Sequence, residues 1–527
     1  MKELDEDSKW RGHLDGINGD GMPYGWALCK DAPQTDVVLD LYIHDILLAK
    51  TTTKRNRPDL DRVFQFDQPV NAGFVFDHKS FVPKGALDVL RQFGLELGTV
   101  DGLRVCIAGT HLSLRTSRHH ADMHLDLTGA VPNILRAASQ YLRDALKVGL
   151  ELDQLRPIDH DILLLSNPLF LPDWYENTHG DVSLSEFGPV EHCRRFATSL
   201  QRDTGPWFNT EGYLEAEPAA QNTKLAPPLH YDIYGNSDWW PGQGRFREVL
   251  PETSGQCDYA VLIHLYHLDT VPDLQSFLKN FAKEVDVYIS VPEDSPDHNP
   301  EQIVELFPQA REILTVPNRG QDIGAFLETV RRIKGRGYKF FCKAHSKKGN
   351  KYPDTWRRVM FDALAATPDR VADTVELFRS TPRILMSGPA QFWLNGHDFA
   401  LSNGPRLEEL TARMGFGGGT LIEDWAFFAG TCFWIDAQLA GRVADVISAD
   451  DFFETEVSQD GQTAHAVERL FSLVVTRVGG RVALTDGCDW DAAPTVSENP
   501  AKASLRLGQG ENAKRFLMRH LLELSAP

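Results

Sequence analysis

The sequence predicts a multidomain protein: an N-terminal β-sandwich over about 10–118, a helical repeat or linker module over about 119–250, and an α/β domain over about 251–527. Three observations predict it. The chain has 527 residues, more than one hydrophobic core supports. Its apolar pattern changes twice, from period-two alternation to a Pro-punctuated helical text, and then to strands alternating with amphipathic helices. The middle part also repeats itself.

Between Trp10 and Ser117 the runs VVLDLYIHD, GFVFD and LRVCIAGTHLSLR alternate apolar and polar residues between turn residues. Such runs, rich in β-branched and aromatic side chains, read as antiparallel strands, and their even spacing suits a small sandwich. In the middle part, Phe170-Leu171-Pro172-Asp173-Trp174-Tyr175 lines up with Phe208-Asn209-Thr210-Glu211-Gly212-Tyr213 at an offset of 38 residues. The same offset takes Pro189 to Pro227 and His192 to His230. A period of this size means stacked helical units that bury their faces against each other. The aromatic residues are then core anchors. His192 and His230 are packing histidines, since no convergent partners mark them as metal ligands.

From Cys257 onward the strand YAVLIHLYH is apolar and ends in His264, Tyr266 and His267. Leu274, Phe277, Leu278 and Phe281 follow at helical spacing, and VDVYISV is the next strand. ILTV runs into the turn Asn318-Arg319-Gly320, after which Ile323, Phe326, Leu327, Val330 and Ile333 form the buried face of a helix. A further apolar strand, Tyr338 to Cys342, empties into Lys343, His345, Lys347 and Lys348. Continuous apolar strands separated by helices imply a parallel sheet covered on both faces. Ligands of such sheets bind beyond the carboxyl ends of the strands, where these polar residues cluster. Basic and titratable groups at the end of a buried strand are costly unless something anionic sits there. A phosphorylated ligand, first of all a nucleotide sugar, is therefore expected.

The formal net charge is −20, which repels nucleic acid and anionic membrane surfaces except where basic residues cluster, as they do from Arg319 to Arg358. No nucleic-acid partner is expected. Seven cysteines without a CxxC spacing fit reduced thiols in a cytoplasm rather than disulfides or a zinc site. The start, MKELDEDSKWRG, is acidic and polar, unlike a signal peptide. No apolar run approaches the roughly 18 residues that span a bilayer. The expectation is a soluble cytoplasmic protein, with any membrane contact peripheral and at the inner membrane.

The segments NRGQDIGAFL, KFFCKAHSKK, FFAGTCFWID and DGQTAHAVERLF, in this order between about Tyr259 and Val482, resemble the rhamnan synthesis protein F family. The resemblance implies a glycosyltransferase that builds bacterial cell-surface polysaccharide. It also implies a GT-A-like fold, a Rossmann-like sheet extended by an acceptor-side half. NPLFLPDWY with GPVEHC, and GPWFNTEGY with APPLHY, resemble worn copies of helical modules found beside such transferases. GHLDGI, YGWAL, the tetrad Arg57-Pro58-Asp59-Leu60 and GFVFD look like a small β-sandwich appended to bacterial polysaccharide enzymes.

Sugar transfer from a nucleotide diphosphate must hold the base, neutralise the departing diphosphate, and supply a carboxylate for the acceptor proton. Many GT-A enzymes neutralise the diphosphate with a divalent metal on an Asp-x-Asp pair. Here the corresponding strand ends in Lys343-Ala344-His345-Ser346-Lys347-Lys348, so lysine and histidine are expected to replace the metal, and no cofactor is assigned. Asp489-Trp490-Asp491 is a literal Asp-x-Asp late in the chain, read as an acidic surface loop that keeps a divalent cation open as an alternative. The donor, a dTDP- or UDP-sugar with L-rhamnose foremost, is assigned to His264, Asn318, Arg319, Gly320, Asp322, Lys343, His345, Lys347 and Lys348. Gly320 permits positive φ, Asp322 caps the helix, and its exposed amides suit a base or phosphate.

The resemblance places the catalytic carboxylate at the start of the helix after the acceptor-side strand, which makes Asp460 the first choice of base and Glu456 the second. Asp460 also reads as a simple N-cap, and this chain has Asp460-Gly461-Gln462 where family members carry Asp-Gly-Thr. Glu423, Asp424, His465, Glu468 and Arg469 are assigned to the acceptor, a saccharide or lipid-linked glycan; Glu468 and Arg469 read equally well as a structural pair. GFGGG, from Gly415 to Gly419, reads as a lid. The rival readings are a non-catalytic saccharide-binding or assembly protein, and a sugar-phosphate transferase.

Overall fold

The computed structural model describes residues 2–3, 8–18, 22–66, 68–77, 80–100, 102–110, 112–116, 125–126, 128–235, 239–243, 256–346, 353–417, 425–452, 461–489 and 494–497. Its contacts divide the chain into two units: Met1–Asn167, Glu176–Arg202 and Glu217–Gly235 form the first, and Pro168–Tyr175, Asp203–Ala216 and Asn236–Pro527 the second. The residues of the expected middle module are shared between them.

In the first unit the alternating runs form two sheets. One orders Lys2–Glu3, Leu112–Ser113, Leu103–Ile107, Val38–Ile43 and Ile46–Thr52; the other orders Arg115–Thr116, Trp10–Ile17, Pro23–Cys29 and Gly73–Val75. A helix, Pro83–Phe93, was not legible among the strand-like runs. It buries Ala86, Leu87, Val89 and Leu90, and Gly85 lets its backbone close on the Leu47 carbonyl. Arg91 on this helix forks onto Asp159, which is 0% exposed, at 2.8 and 2.7 Å. That fork ties the helix Pro157–Leu165 to it.

Helices Pro172–Thr178 and Thr210–Ala216, and helices Pro189–Phe196 and Pro227–Tyr234, recur at the spacing of 38 residues read from the sequence. Even the ring geometry recurs. Phe170 meets Tyr175 edge-on at 5.9 Å and Phe208 meets Tyr213 at 5.4 Å; His192 packs on Phe196 at 5.0 Å and His230 on Tyr234 at 5.4 Å. Burial holds both histidines below their ordinary pKa, as packing histidines require.

The second unit contains an eight-stranded sheet among its described residues. Its strands are β1 (Tyr259–His264), β2 (Asp286–Pro292), β3 (Ala310–Val316), β4 (Phe340–His345), β5 (Ile384–Pro389), β8 (Phe433–Asp436), β9 (Arg481–Thr485) and β10 (Thr495–Ser497), in spatial order β3-β2-β1-β4-β8-β5-β9-β10. A separate ribbon pairs β6 (Trp393–Asn395) with β7 (Ala426–Phe428). β1 to β4 are parallel, joined by helices α1 (Val271–Leu278), α2 (Pro300–Leu306) and α3 (Gln321–Ile333). The sheet is not parallel throughout: β8 runs antiparallel to both β4 and β5. Val261, Ile263, Ile289, Cys342 and Trp434 build the core on one face. None of the seven cysteines forms a disulfide.

Two elements differ from the sequence reading. β4 extends through His345, because its ladder with β1 continues past Cys342: Lys343 pairs with Leu262 and His345 with His264. FFAGTCFWI, a single apolar run in the sequence, forms two strands, since Gly430 and Thr431 both take positive φ (90° and 53°) and turn the chain between β7 and β8. The described part of the glycine run is anchored: Phe416 stacks on Trp207 at 5.2 Å, and Gly417 N donates to the Pro168 carbonyl. Gly418 and Gly419 lie outside the described residues.

The first turn of α3 folds back on the Asn-Arg-Gly turn. A Cβ on Gly324 would stand 2.0 Å from the Arg319 carbonyl oxygen, which backbone cannot yield. Gly324→Ala is therefore expected to cost about 1–3 kcal/mol and to lower the melting temperature by several degrees in a thermal scan. A native melting curve would show that this close approach is not a constraint.

Candidate functional site

The parallel ladder of β1 and β4 puts His264 and His345 side by side, and Lys343 two residues earlier on the same face. α3 covers that face, so Asp322 in its first turn reaches down to them. Lys343 is 1% exposed. Its ammonium donates to Asp322 Oδ2 at 2.6 Å and to the Thr431 carbonyl at 2.7 Å, with the rings of Phe326 and Phe433 at 5.5 and 5.6 Å. Thr431 Oγ1 also donates to Asp322 Oδ2. His345 Nε2 donates to the Gly430 carbonyl at 2.8 Å and stands 3.7 Å from the same carboxylate oxygen.

The anion that a buried lysine demands is thus supplied by the chain itself. The Lys343–Asp322 pair is neutral as a unit and locks β4, α3 and the Gly430-Thr431 turn together. Among the described residues around this cluster, Arg319 is a cation open to solvent: it is exposed and faces the still more exposed Asp450 at 4.0 Å, a pairing worth little in water. Asn318 beside it is also exposed. Gly320 caps α3 at φ 70°, and its missing Cβ leaves room for the Phe452 ring, which a side chain there would strike at 2.6 Å. Gln321 is itself left-handed (φ 55°), and its amide bonds Gln462 at 3.2 Å. Gly320, the N-cap of α3, has no side chain with which to bond the amides of the first turn, which lie where the sheet ends.

His264 is 8% exposed, with Nδ1 3.1 Å from Ser290 Oγ. Burial, opposed by the Asp322 carboxylate and aided by the Lys343 charge, lowers its pKa from 6.5 to about 4. A depressed histidine contributes stability that is fully present above its unfolded pKa. As pH falls from about 6.5 to about 4 the unfolded chain takes up a proton that the fold refuses, and that stability is lost. The melting temperature should fall across this window. His264→Gln should shallow the fall, and an identical profile for the variant would refute the assignment.

Beyond the turn, α4 (Thr463–Arg477) contributes Glu468, whose Oε1 accepts from the Gly430 amide at 2.7 Å. Arg469 is 4% exposed; it donates to the carbonyls of Phe399 and His465 and lies over the Phe427 ring at 4.6 Å. Together with a 3.3 Å contact between them, these bonds make Glu468 and Arg469 holders of the turn and of the helix start. His465 Nδ1 accepts from the Gln462 amide as part of the cap of α4. The structure therefore brings His264, Asp322, Lys343 and His345 into one cluster, with Asn318, Arg319 and Gly320 on the adjoining turn. Asp460, Glu456, Lys347, Lys348, Glu423 and Asp424 lie outside the described residues. Asp489 is exposed on the loop after β9. Among the described residues no group of three or more His, Cys, Asp or Glu side chains could hold a metal ion.

Three contributors were missed from sequence. Thr431 sits in a left-handed conformation that β-branched residues avoid, and both its oxygens serve the Lys343–Asp322 pair. Ser290 orients His264. Ser346 Oγ accepts from the amides of Tyr266 and His267 at 2.7 and 2.9 Å, which fixes the half-exposed Tyr266 ring at the end of β1. A hydroxyl residue at a strand end or inside an apolar run was the available signal, and it is too common to single these out.

Residues 247–478 match the family model of rhamnan synthesis protein F. The chain is similar to the uncharacterized protein WxcX of Xanthomonas campestris pv. campestris, 28% identical over 225 residues in strain B100 and equally so in strain ATCC 33913. That alignment covers 42% of this chain and 32% of the relative, so the chain spans about a third of the length of the curated relatives it matches. No solved structure matches it. No helix among the described residues is long and apolar enough to cross a membrane.

Proposed function

We propose, from the match of residues 247–478 to rhamnan synthesis protein F, that this protein is a glycosyltransferase acting in the synthesis of a bacterial polysaccharide. The donor is a nucleotide diphosphate sugar, with dTDP-L-rhamnose first to be tried, and the acceptor a saccharide or lipid-linked glycan at the inner face of the membrane. Residues 251–527 form a GT-A-like domain in this reading. The observation that carries it lies inside the matched segment: the polar cluster gathers at the carboxyl ends of β1 and β4 and at the start of α3, where open α/β sheets bind their ligands.

The diphosphate meets Arg319 and the first amides of α3, which offer positive charge and donors to the departing oxygens. Lys343 and His345 hold Asp322 and the Gly430-Thr431 turn in place instead of contacting phosphate through a free charge. Asp460, with Glu456 as its alternate, takes the acceptor proton. The end of β4 carries Lys343-Ala344-His345 where a metal-binding carboxylate pair would stand, so transfer should survive chelation. Purified protein is assayed against a panel of nucleotide sugars, with and without EDTA. Transfer of sugar from one donor supports the reading. Neither transfer nor hydrolysis of any donor, together with no thermal shift by UDP or dTDP, would favour a non-catalytic saccharide-binding protein. A phosphorylated product would indicate the sugar-phosphate transferase. Activity abolished by EDTA would overturn the metal-free part.

A further inference from the structure

Four motifs of the first unit, GHLDGI, YGWAL, RPDL and GFVFD, lie outside the family match at residues 247–478, and the fold brings residues from all four to one face. His13 on strand Trp10–Ile17 lies opposite Trp26 on Pro23–Cys29, and Trp26 in turn lies opposite Gly73. Gly73 has no side chain, and Arg55 and the stem of Arg57 take that room: a Cβ there would meet Arg55 Cβ at 3.0 Å and Arg57 Cγ at 3.1 Å. The guanidinium bridges two carboxylates. Nη1 donates to Asp15 Oδ2 at 2.7 Å, while Nε and Nη2 fork onto Asp59 at 2.9 and 2.7 Å. His13 Nδ1 stands 3.3 Å from the other Asp15 oxygen.

Aromatic rings border this network and are left partly open. Phe64 meets Trp26 edge-on at 5.8 Å and is 37% exposed; Tyr24, two residues from Trp26 on the same strand, is 38% exposed. A structural clamp would account for the Arg57 fork, but it gives no reason to leave these rings in water beside it.

We propose that this face of the first unit is a saccharide-binding site that takes a neutral pyranose unit of a glycan chain. A pyranose has an apolar C–H face that stacks on an aromatic ring, and a rim of hydroxyls that pairs with planar donors and acceptors. The face offers both across neighbouring strands. Arg57 is already paired with two carboxylates and offers little to a phosphate, so an anionic ligand is disfavoured. The open apolar part is a pair of rings, too short for the groove that holds an amphipathic helix.

The test uses the full chain and saturation-transfer NMR with methyl α-L-rhamnopyranoside and methyl α-D-glucopyranoside as probes. At least one probe should show transfer to its ring protons. Trp26→Ala and Asp59→Ala should each weaken it about tenfold, whereas Arg319→Ala in the other unit should leave it unchanged. Trp26 also packs against the small core of Leu28, Leu60, Val70 and Ala72, so Tyr24→Ala, at an exposed ring, keeps the test independent of folding. The proposal is overturned if the native protein binds neither probe. It is equally overturned if natively melting Tyr24→Ala and Asp59→Ala proteins bind as the native one does, or if Arg319→Ala removes the signal. Because Arg319 is the readout of the transferase site, failure here leaves the transferase reading untouched.

Discussion

Lys343→Met is expected to destabilise the second unit by about 3–5 kcal/mol, because it leaves the Asp322 carboxylate under α3 without its cation. The lysine is 2% and the aspartate 15% exposed at their side chains, so water does little to compensate. Thr431 would still donate to the carboxylate, but its carbonyl would lose the ammonium it now accepts from. Asp322→Asn alone should be nearly as damaging, since it strands the ammonium instead. The double variant Lys343→Met/Asp322→Asn removes both charges and should recover most of the loss, as replaced buried pairs commonly do. Thermal melts of the four proteins form the double-mutant cycle. Additive losses, or a Lys343→Met protein that melts with the native one, would mean that the pair is not coupled. Nucleotide binding should fall with stability in the single variants, since the pair holds α3, whose start adjoins Arg319.

Arg319→Ala should behave in the opposite way, with native melting and impaired transfer. Its side chain is exposed, and its contact with Asp450 is long and solvated, so the fold loses almost nothing. In the proposed reaction it supplies a charge-assisted hydrogen bond to the diphosphate, a contact worth about 1.5–3 kcal/mol, or roughly 10–150-fold in kcat/KM. Arg319→Lys keeps the charge but not the planar fork and should recover part of the loss. Wild-type kcat/KM in Arg319→Ala would remove this residue from the donor site.

These two cations show what was legible in the sequence and what was not. Both were read as donor-binding groups, for they stand at the ends of neighbouring segments and carry the same charge. Sequence order put Lys343 and Asp322 in one region, but could not say that the carboxylate points at the ammonium. That depends on how α3 lies over β4. The same holds for Glu468 and Arg469, which read equally well as acceptor ligands or as a pair; the Gly430 amide and the Phe399 carbonyl, both distant in sequence, engage them structurally. Thr431 was hidden inside an apolar run, because nothing local announces that a threonine will take a left-handed turn.

Local physics was enough where one element decides its own form. The helix from Thr463, the buried face of α3 from Ile323 to Ile333, the glycine that opens α3, and the 38-residue repeat all follow from periodicity and backbone freedom, which act over a few residues. Tertiary structure alone decided the antiparallel entry of β8, the extension of β4 through His345, and which charges are neutralised internally. Each of those depends on a partner strand or side chain far away in the chain, and electrostatic pairing in a buried site is settled by distances of a few ångströms that no sequence spacing encodes.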